Sequence, residues 1–239
     1  MSSKNPEWFY DEMKQVGVDF DSVEQVEKYD QEAAIVRKPE AEAAGIAKAV
    51  GLQSDHVVLE FGTGTGEIAI QLAKNCRKVI AADVSKTMLK YAERKARNRN
   101  ITNVEFRHTG FLNYRKEEDV DVVLTQIALH HLPDFWKMIA IQNMYDALKE
   151  GGRLLLLDSI LSFDTKDYIN LMNGFIQMAG QYAGDNKAKE MVLNIRDEYP
   201  TFDWTIEAML KKAGFSIDSI ERHSGYFATF VCTKGKARS

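Results

Sequence analysis

One stretch constrains this chain more than any other: Val57-Val58-Leu59-Glu60-Phe61-Gly62-Thr63-Gly64-Thr65-Gly66. Its apolar half reads as a buried strand running straight into three alternating glycines. Behind them Glu67–Asn75 places Ile68 and Leu72 on one helical face. Glycine permits positive φ and lets a ligand approach the backbone closely. Seventeen residues past Gly66 a second strand, Lys78–Asp83, ends on an acid placed to accept hydrogen bonds from ribose hydroxyls. A glycine loop alone is a weak signal. Strand, glycines, helix, strand and terminal acid in that order point to a nucleotide-type ligand.

Spacing and charge then choose between ligands. The dinucleotide fingerprint is G-x-G-x-x-G, which seats a pyrophosphate on the helix N-terminus. Here the spacing is G-x-G-x-G, and Glu60 stands two residues before the first glycine. A carboxylate there repels a pyrophosphate and favours an ammonium, such as that of the methionine moiety of S-adenosylmethionine (SAM). SAM is therefore the expected cofactor, and NAD is not.

Strand-like and helical patterns alternate from about residue 55 to 160, as βαβ units and a parallel sheet require. The expected strands are His56–Phe61, Lys78–Asp83, Asn103–His108, Asp119–Gln126 and Arg153–Asp158. Ser85 is a good N-cap for a helix aligning Met88, Ala92 and Ala96. Another helix opens after Pro133-Asp134 and is expected to end near Glu150-Gly151-Gly152, a glycine stop. Residues 1–50 read as a helical cover, with Val23, Val26, Ala33 and Ala34 on one stripe and a second helix from Pro39 to Gly51. Residues 51–160 form the ligand-binding core, and 161–200 a lid insertion. Residues 201–239 hold a helix from Trp204 stopped at Gly214 and a closing hairpin, Phe215–Glu221 and Tyr226–Thr233.

The segments Leu59–Gly66, Ala82-Asp83-Val84-Ser85-Lys86-Thr87-Met88-Leu89 and Leu129-His130-His131-Leu132-Pro133 resemble the class I SAM-dependent methyltransferases. The resemblance is strongest to the small-molecule, UbiE-like subgroup (methyltransferase type 11 or 25). It covers residues 45–160 well and the flanks loosely. It implies a Rossmann-like, doubly wound α/β sheet of seven strands in the order 3-2-1-4-5-7-6, strand 7 antiparallel. It further implies that Glu60, Gly62, Thr63, Gly64 and Gly66 surround the methionine end, that Asp83 holds the ribose, that Val84 and Met88 flank the adenine, and that the Gln126 carbonyl faces the methionine amine. Two departures stand out. The first acid is Glu60 where the family usually has Asp. An acid common after the third strand, which accepts the adenine amino group, is replaced by Gly110, leaving main-chain groups and Phe111 to pack the base.

Methyl transfer from a sulfonium is an in-line displacement in which the protein supplies proximity and orientation, and a base only where the acceptor must lose a proton. His131, past the fourth strand, is the candidate base. By resemblance to phosphoethanolamine-type methyltransferases its partner is Tyr29. His130 reads more simply as a structural histidine, Asp158 as a loop cap, and Arg196-Asp197-Glu198-Tyr199 as a solvated lid segment or a clamp on an anionic acceptor. Trp8-Phe9-Tyr10 reads as cover for an apolar seam. His56, His108 and His223 are scattered, so no metal site is expected.

The net charge of −4 offers no basic footprint beyond Arg94–Arg99, a cationic helix end, so no nucleic-acid partner is expected. No apolar run approaches the roughly 20 residues of a membrane span. Met1–Pro6 carries no apolar signal region, and Cys76 and Cys232 suit a reducing compartment, so a cytoplasmic location is expected. A small-molecule methyltransferase is the leading reading. A protein or RNA methyltransferase of the same fold and a non-catalytic SAM-binding protein remain open alternatives.

Overall fold

A computed structural model describes residues 5–14 and 22–235. Two N-terminal helices, α1 (Val23–Val36) and α2 (Pro39–Val50), lead into β1 (Val57–Phe61), α3 (Glu67–Leu72), β2 (Lys78–Asp83), α4 (Lys86–Asn98) and β3 (Val104–His108). Next come β4 (Val120–Gln126), α5 (Asp134–Ala147) and β5 (Leu148–Leu161). The helical pair α6 (Tyr168–Ala183) and α7 (Asp185–Asp197) follows, then β6 (Thr201–Phe202), α8 (Asp203–Ala213), β7 (Phe215–His223) and β8 (Phe227–Lys234).

The sheet runs β3-β2-β1-β4-β5-β8-β7, with the two-residue β6 beside β5 off that path. Setting β6 aside, this is the expected seven-strand order. β1 to β5 pair in parallel, Leu59 opposite both Ile80 and Val123, while β8 is antiparallel to β5 and to β7. Alternation along β1 serves two cores. Leu59 and Phe61 pack with Val123, Ile141, Leu156 and Phe230 on one face, and Val58 with Ile68, Leu72, Val79 and Leu124 on the other. Burial on both faces explains why these strands read as near-continuous apolar runs. The order reverses between β1 and β4, so a crevice opens at their carboxyl ends, where open α/β sheets bind ligands.

Local signals placed most boundaries. Ser85 Oγ caps α4 by accepting from the Met88 amide at 3.0 Å. Pro39 opens α2, and Gly51 and Gly214, both left-handed, close α2 and α8. The β7–β8 turn carries positive φ at Ser224 and Gly225, the pair of values a tight hairpin needs.

Two details differ from expectation. α5 stops at Ala147, and Gly151-Gly152 lie inside β5. Leu148 pairs with Val120 and Arg153 with Val122, so the glycines serve a bulge rather than a helix stop. On α1, Val26 is buried but Val23 is exposed; the Ala33 and Ala34 side chains lie outside the described residues. Within the basic run, Lys95 pairs with Asp30 and Glu67, Arg99 with Glu67, Arg94 with Glu27 and Arg97 with Glu93. No helix among the described residues is long and apolar enough to cross a membrane.

Candidate active site

The glycine turn is built by close approach. A Cβ on Gly62 would collide with that of Ala128, and one on Gly66 would lie 2.7 Å from that of Ala92. Gly64, at φ +54, faces open space: nothing stands within 4 Å of its Cβ position. The amides of Gly62 and Thr63 both donate to the Ala82 carbonyl, locking the turn against the end of β2. There Asp83 accepts from the Gly64 amide at 2.7 Å and the Ser85 amide at 2.8 Å. Burial raises its pKa, and these amides work against the rise. Glu60 lies beneath the same turn, buried and accepting from Thr63 Oγ1 at 2.6 Å. Burial pushes its carboxyl up to about 7 against the opposing Thr63 bond and Arg37 charge. α1 crosses above: Asp30 accepts from Thr65 Oγ1 at 2.6 Å and from Lys95 Nζ at 2.7 Å.

Beyond Asp83, Met88 is buried and the Val84 carbonyl lies 2.9 Å from His108 Nε2. At the end of β3 the space a side chain on Gly110 would need is filled by the Glu12 carboxylate. Glu12 accepts from the amides of Leu112 at 2.9 Å and Asn113 at 2.7 Å. An acid from the N-terminal segment thus stands where residue 110 lacks one. Phe111 points into the core, its ring stacked on Phe61 at 4.9 Å, so it presents main chain rather than a ring face to the crevice.

The ends of β4 and β5 form the other half. Gln126 closes β4 with a buried side-chain oxygen that has no hydrogen-bond partner among the described residues. Ile127 follows at φ +51, an unusual conformation for a β-branched residue and a strained hinge at the crevice. A short 3₁₀ turn, Leu129–His131, brings the two imidazoles to a 4.3 Å centroid separation. Asp158 accepts from the amides of Leu129 (2.6 Å) and His130 (3.2 Å), and it bonds His130 Nδ1. His130 Nε2 meets Glu198 Oε2 at 3.1 Å, and His131 Nδ1 lies 3.8 Å from Glu198 Oε1. Burial alone would lower the His130 pKa, but the charges and hydrogen bonds of Asp158 and Glu198 outweigh it and push it up to about 9. Removal from water and the His130 charge push His131 down to about 4. The lid end is tied down here: the Tyr199 amide donates to the His130 carbonyl at 2.8 Å, and Lys137 Nζ donates to the Tyr199 carbonyl.

A family model described as a methyltransferase domain matches residues 58–152. An uncharacterized methyltransferase of Staphylococcus carnosus is 25% identical over 70% of this chain and 73% of its own length. The uncharacterized methyltransferase YcgJ of Bacillus subtilis is 28% identical over 53% of this chain, but the alignment spans only 50% of YcgJ. Among solved structures, magnesium protoporphyrin IX methyltransferase from Synechocystis with bound SAM covers 93% of this chain and 87% of its own, at 17% identity and a TM-score of 0.58. Residues 58–152 thus match a methyltransferase domain, and the fold around them is shared with SAM-dependent methyltransferases. The chain's cofactor is SAM.

The glycine turn is bonded to Asp83 through the Gly64 amide and to Glu60 through Thr63, Val84 and Met88 follow Asp83 along the chain, and Gln126 ends β4 beside β1. Tyr29 acts electrostatically on Arg37, whose guanidinium also feels Glu60, whereas the groups acting on His131 are His130, Glu198 and Asp158. The N-terminal tyrosine that bonds His131 is Tyr10, whose hydroxyl donates to its carbonyl at 3.3 Å. Trp8, Phe9 and Tyr10 gather around Trp136, covering a seam as expected. In the lid, Arg196 and Asp197 form an exposed pair, while Glu198 turns inward and is buried. Sequence reading missed Glu12, and it took Glu198 only as part of the run Arg196–Tyr199, a solvated lid segment or a clamp on an anionic acceptor, not as a partner of the two imidazoles. The only available signal for Glu198 was an acid next to an aromatic and a proline at a helix end, which many solvated segments share.

Proposed function

We propose that this methyltransferase transfers the methyl group of SAM to a small-molecule acceptor by in-line displacement. The observation that carries this reading is the roof over the carboxyl edge of the sheet. α1 is bonded to the glycine turn through Asp30, and the lid is bonded to the β4 exit through Glu198 and Tyr199. A covered crevice suits a small acceptor better than an open polymer track. In this reading residues 1–50 and 161–200 are cover and lid, 51–160 the cofactor core, and 201–239 the closing helix and hairpin.

Asp83 holds the ribose diol, and Glu60 and the Gln126 carbonyl take the methionine ammonium. The main chain at 62–66 admits the amino-acid tail, Val84 and Met88 flank the adenine, and Glu12 and the main chain at Gly110 and Phe111 edge it. His131, the partly exposed imidazole at the acceptor end, orients the acceptor and takes its proton where it has one to lose; Tyr29 closes the cofactor end. The magnesium protoporphyrin acceptor of the Synechocystis relative is consistent with a small-molecule acceptor here. The two free buried cysteines, Cys76 and Cys232, fit a reducing, cytoplasmic setting.

The test is methyl transfer from labelled SAM to separated metabolite, protein and RNA pools of a lysate. Label in the metabolite pool is expected. Label confined to protein or RNA would overturn the small-molecule reading, and SAM binding without transfer to any pool would make the chain a SAM-binding protein.

A further inference from the structure

We propose that His130 Nε2, His131 Nδ1 and the Glu198 carboxylate form a binding site for one divalent transition-metal ion of the zinc type. The inference stands on this cluster's geometry and is independent of the acceptor's identity; with the ion bound, His131 is a ligand and no longer the acceptor's base. The three ligand groups lie within 4.8 Å of one another. His130 Nε2 lies 3.1 Å from Glu198 Oε2 and His131 Nδ1 3.8 Å from Glu198 Oε1, so each imidazole faces one carboxylate oxygen at close to the roughly 3.4 Å between donors on a tetrahedral ion with bonds of about 2.1 Å. Two imidazoles and one carboxylate are also the donor set of catalytic zinc sites, which keep a further position open. His130 and Glu198 are buried, and His131, the partly exposed member, forms the side from which a water or an acceptor oxygen or sulfur reaches that position.

Two further observations support the site. Metal-bound imidazoles are oriented by a carboxylate on their other nitrogen. His130 Nδ1 is bonded to Asp158, itself fixed by the amides of Leu129, His130 and Ser159. Glu198 is held in the same way by Asn194, which accepts from the Tyr226 hydroxyl. The second observation is charge. With both imidazoles neutral, as metal binding requires, Asp158 and Glu198 leave two negative charges in a buried cluster, and a dication cancels them. The bound ion would clasp the end of α7 to the β4 exit and so close the lid.

The full chain, stripped with a chelator and dialysed, is titrated with Co²⁺ as a spectroscopic probe and with Zn²⁺ by calorimetry. One equivalent of each is expected, Co²⁺ giving the visible bands of a low-symmetry four- or five-coordinate site. His131→Ala and Glu198→Gln should each weaken Zn²⁺ by more than the roughly 10- to 100-fold that loss of an outer partner costs. His223→Ala, an exposed histidine on β7, should leave it unchanged. His131 is partly exposed, so its variant is expected to fold and keeps the test decisive if Glu198→Gln does not. Absence of stoichiometric binding to the wild-type chain would overturn the site. So would Zn²⁺ affinity in folded His131→Ala equal to wild type.

Discussion

Asp83 joins two turns as well as facing the crevice, since it accepts from both the Gly64 and Ser85 amides. Asp83→Ala should therefore weaken SAM by about 1.5–3 kcal/mol, the scale of hydrogen bonds to a charged group, and loosen the glycine turn as well. Calorimetry reads this directly, and wild-type affinity in the variant would mean the ribose lies elsewhere. Glu60 predicts a pH dependence. Its carboxyl titrates near 7 in the free protein because it is buried, and pairing with the SAM ammonium favours the ionised form. Below pH 7 binding must therefore expel a proton, so affinity falls as pH falls. With one group shifted downward on binding, SAM should bind nearly tenfold more weakly at pH 6 than at pH 7.5. Glu60→Gln should bind more weakly and lose that slope. A slope surviving in Glu60→Gln would assign the titration to another group.

At the scale of elements, α3 and α4 are laced together by Glu67, which bonds Arg99 and Lys95. Burial raises the Glu67 pKa, but these cations outweigh it and pull the group down to about 2. A depressed carboxylate stabilises the fold above its unfolded pKa, and that contribution fades as pH drops from about 4.5 toward 2. Because the partners are partly exposed, the loss in Glu67→Gln should be about 1 kcal/mol at pH 7 and shrink to roughly half of that or less near pH 3. Urea unfolding at the two pH values measures it; an equal deficit at both would show that packing, not charge, is lost. Elements of this kind were legible because their signals are local: Ser85 caps its own helix, Pro39 and Gly51 bound theirs, and β1 carries its apolar run and glycines without a break. The Gly151-Gly152 bulge was not legible, because its cause is the pairing of Leu148 with Val120 on another strand. The site divides in the same way. Glu60, the glycines and Asp83 lie in contiguous motifs, whereas Glu12 and Glu198 reach the crevice only through tertiary contacts with Leu112 and His130. Tyr29 was paired with His131 by resemblance alone, which carries no tertiary geometry of its own.

Over the whole molecule, burial is unevenly shared. β1 is buried along its whole length, as is nearly all of β2, while α6 buries only Phe175 and α7 buries no residue fully. Few apolar contacts mean a low local opening free energy, so α6 and α7 belong to the least protected part of the fold. Their hold on the core is a small cluster, Leu171, Met172, Phe175, Met191 and Ile195 against Leu161 and Tyr226, the Tyr226 hydroxyl donating to Asn194, and the lid end through Glu198 and Tyr199 to His130. α1 is attached comparably, through Val26 and through Asp30 to Thr65 and Lys95. A ligand contacting both the glycine turn and the β4 exit rests on the anchor points of both covers, and it gains most from the closed arrangement. Hydrogen exchange should accordingly be fast in α1, α6 and α7 of the free protein and slow there when S-adenosylhomocysteine is added with an acceptor. β1, β4 and β5 should remain slow in both states. Protection of α1, α6 and α7 that is already complete without ligand would make them fixed walls, and acceptor entry would then need an opening elsewhere along the carboxyl edge of the sheet.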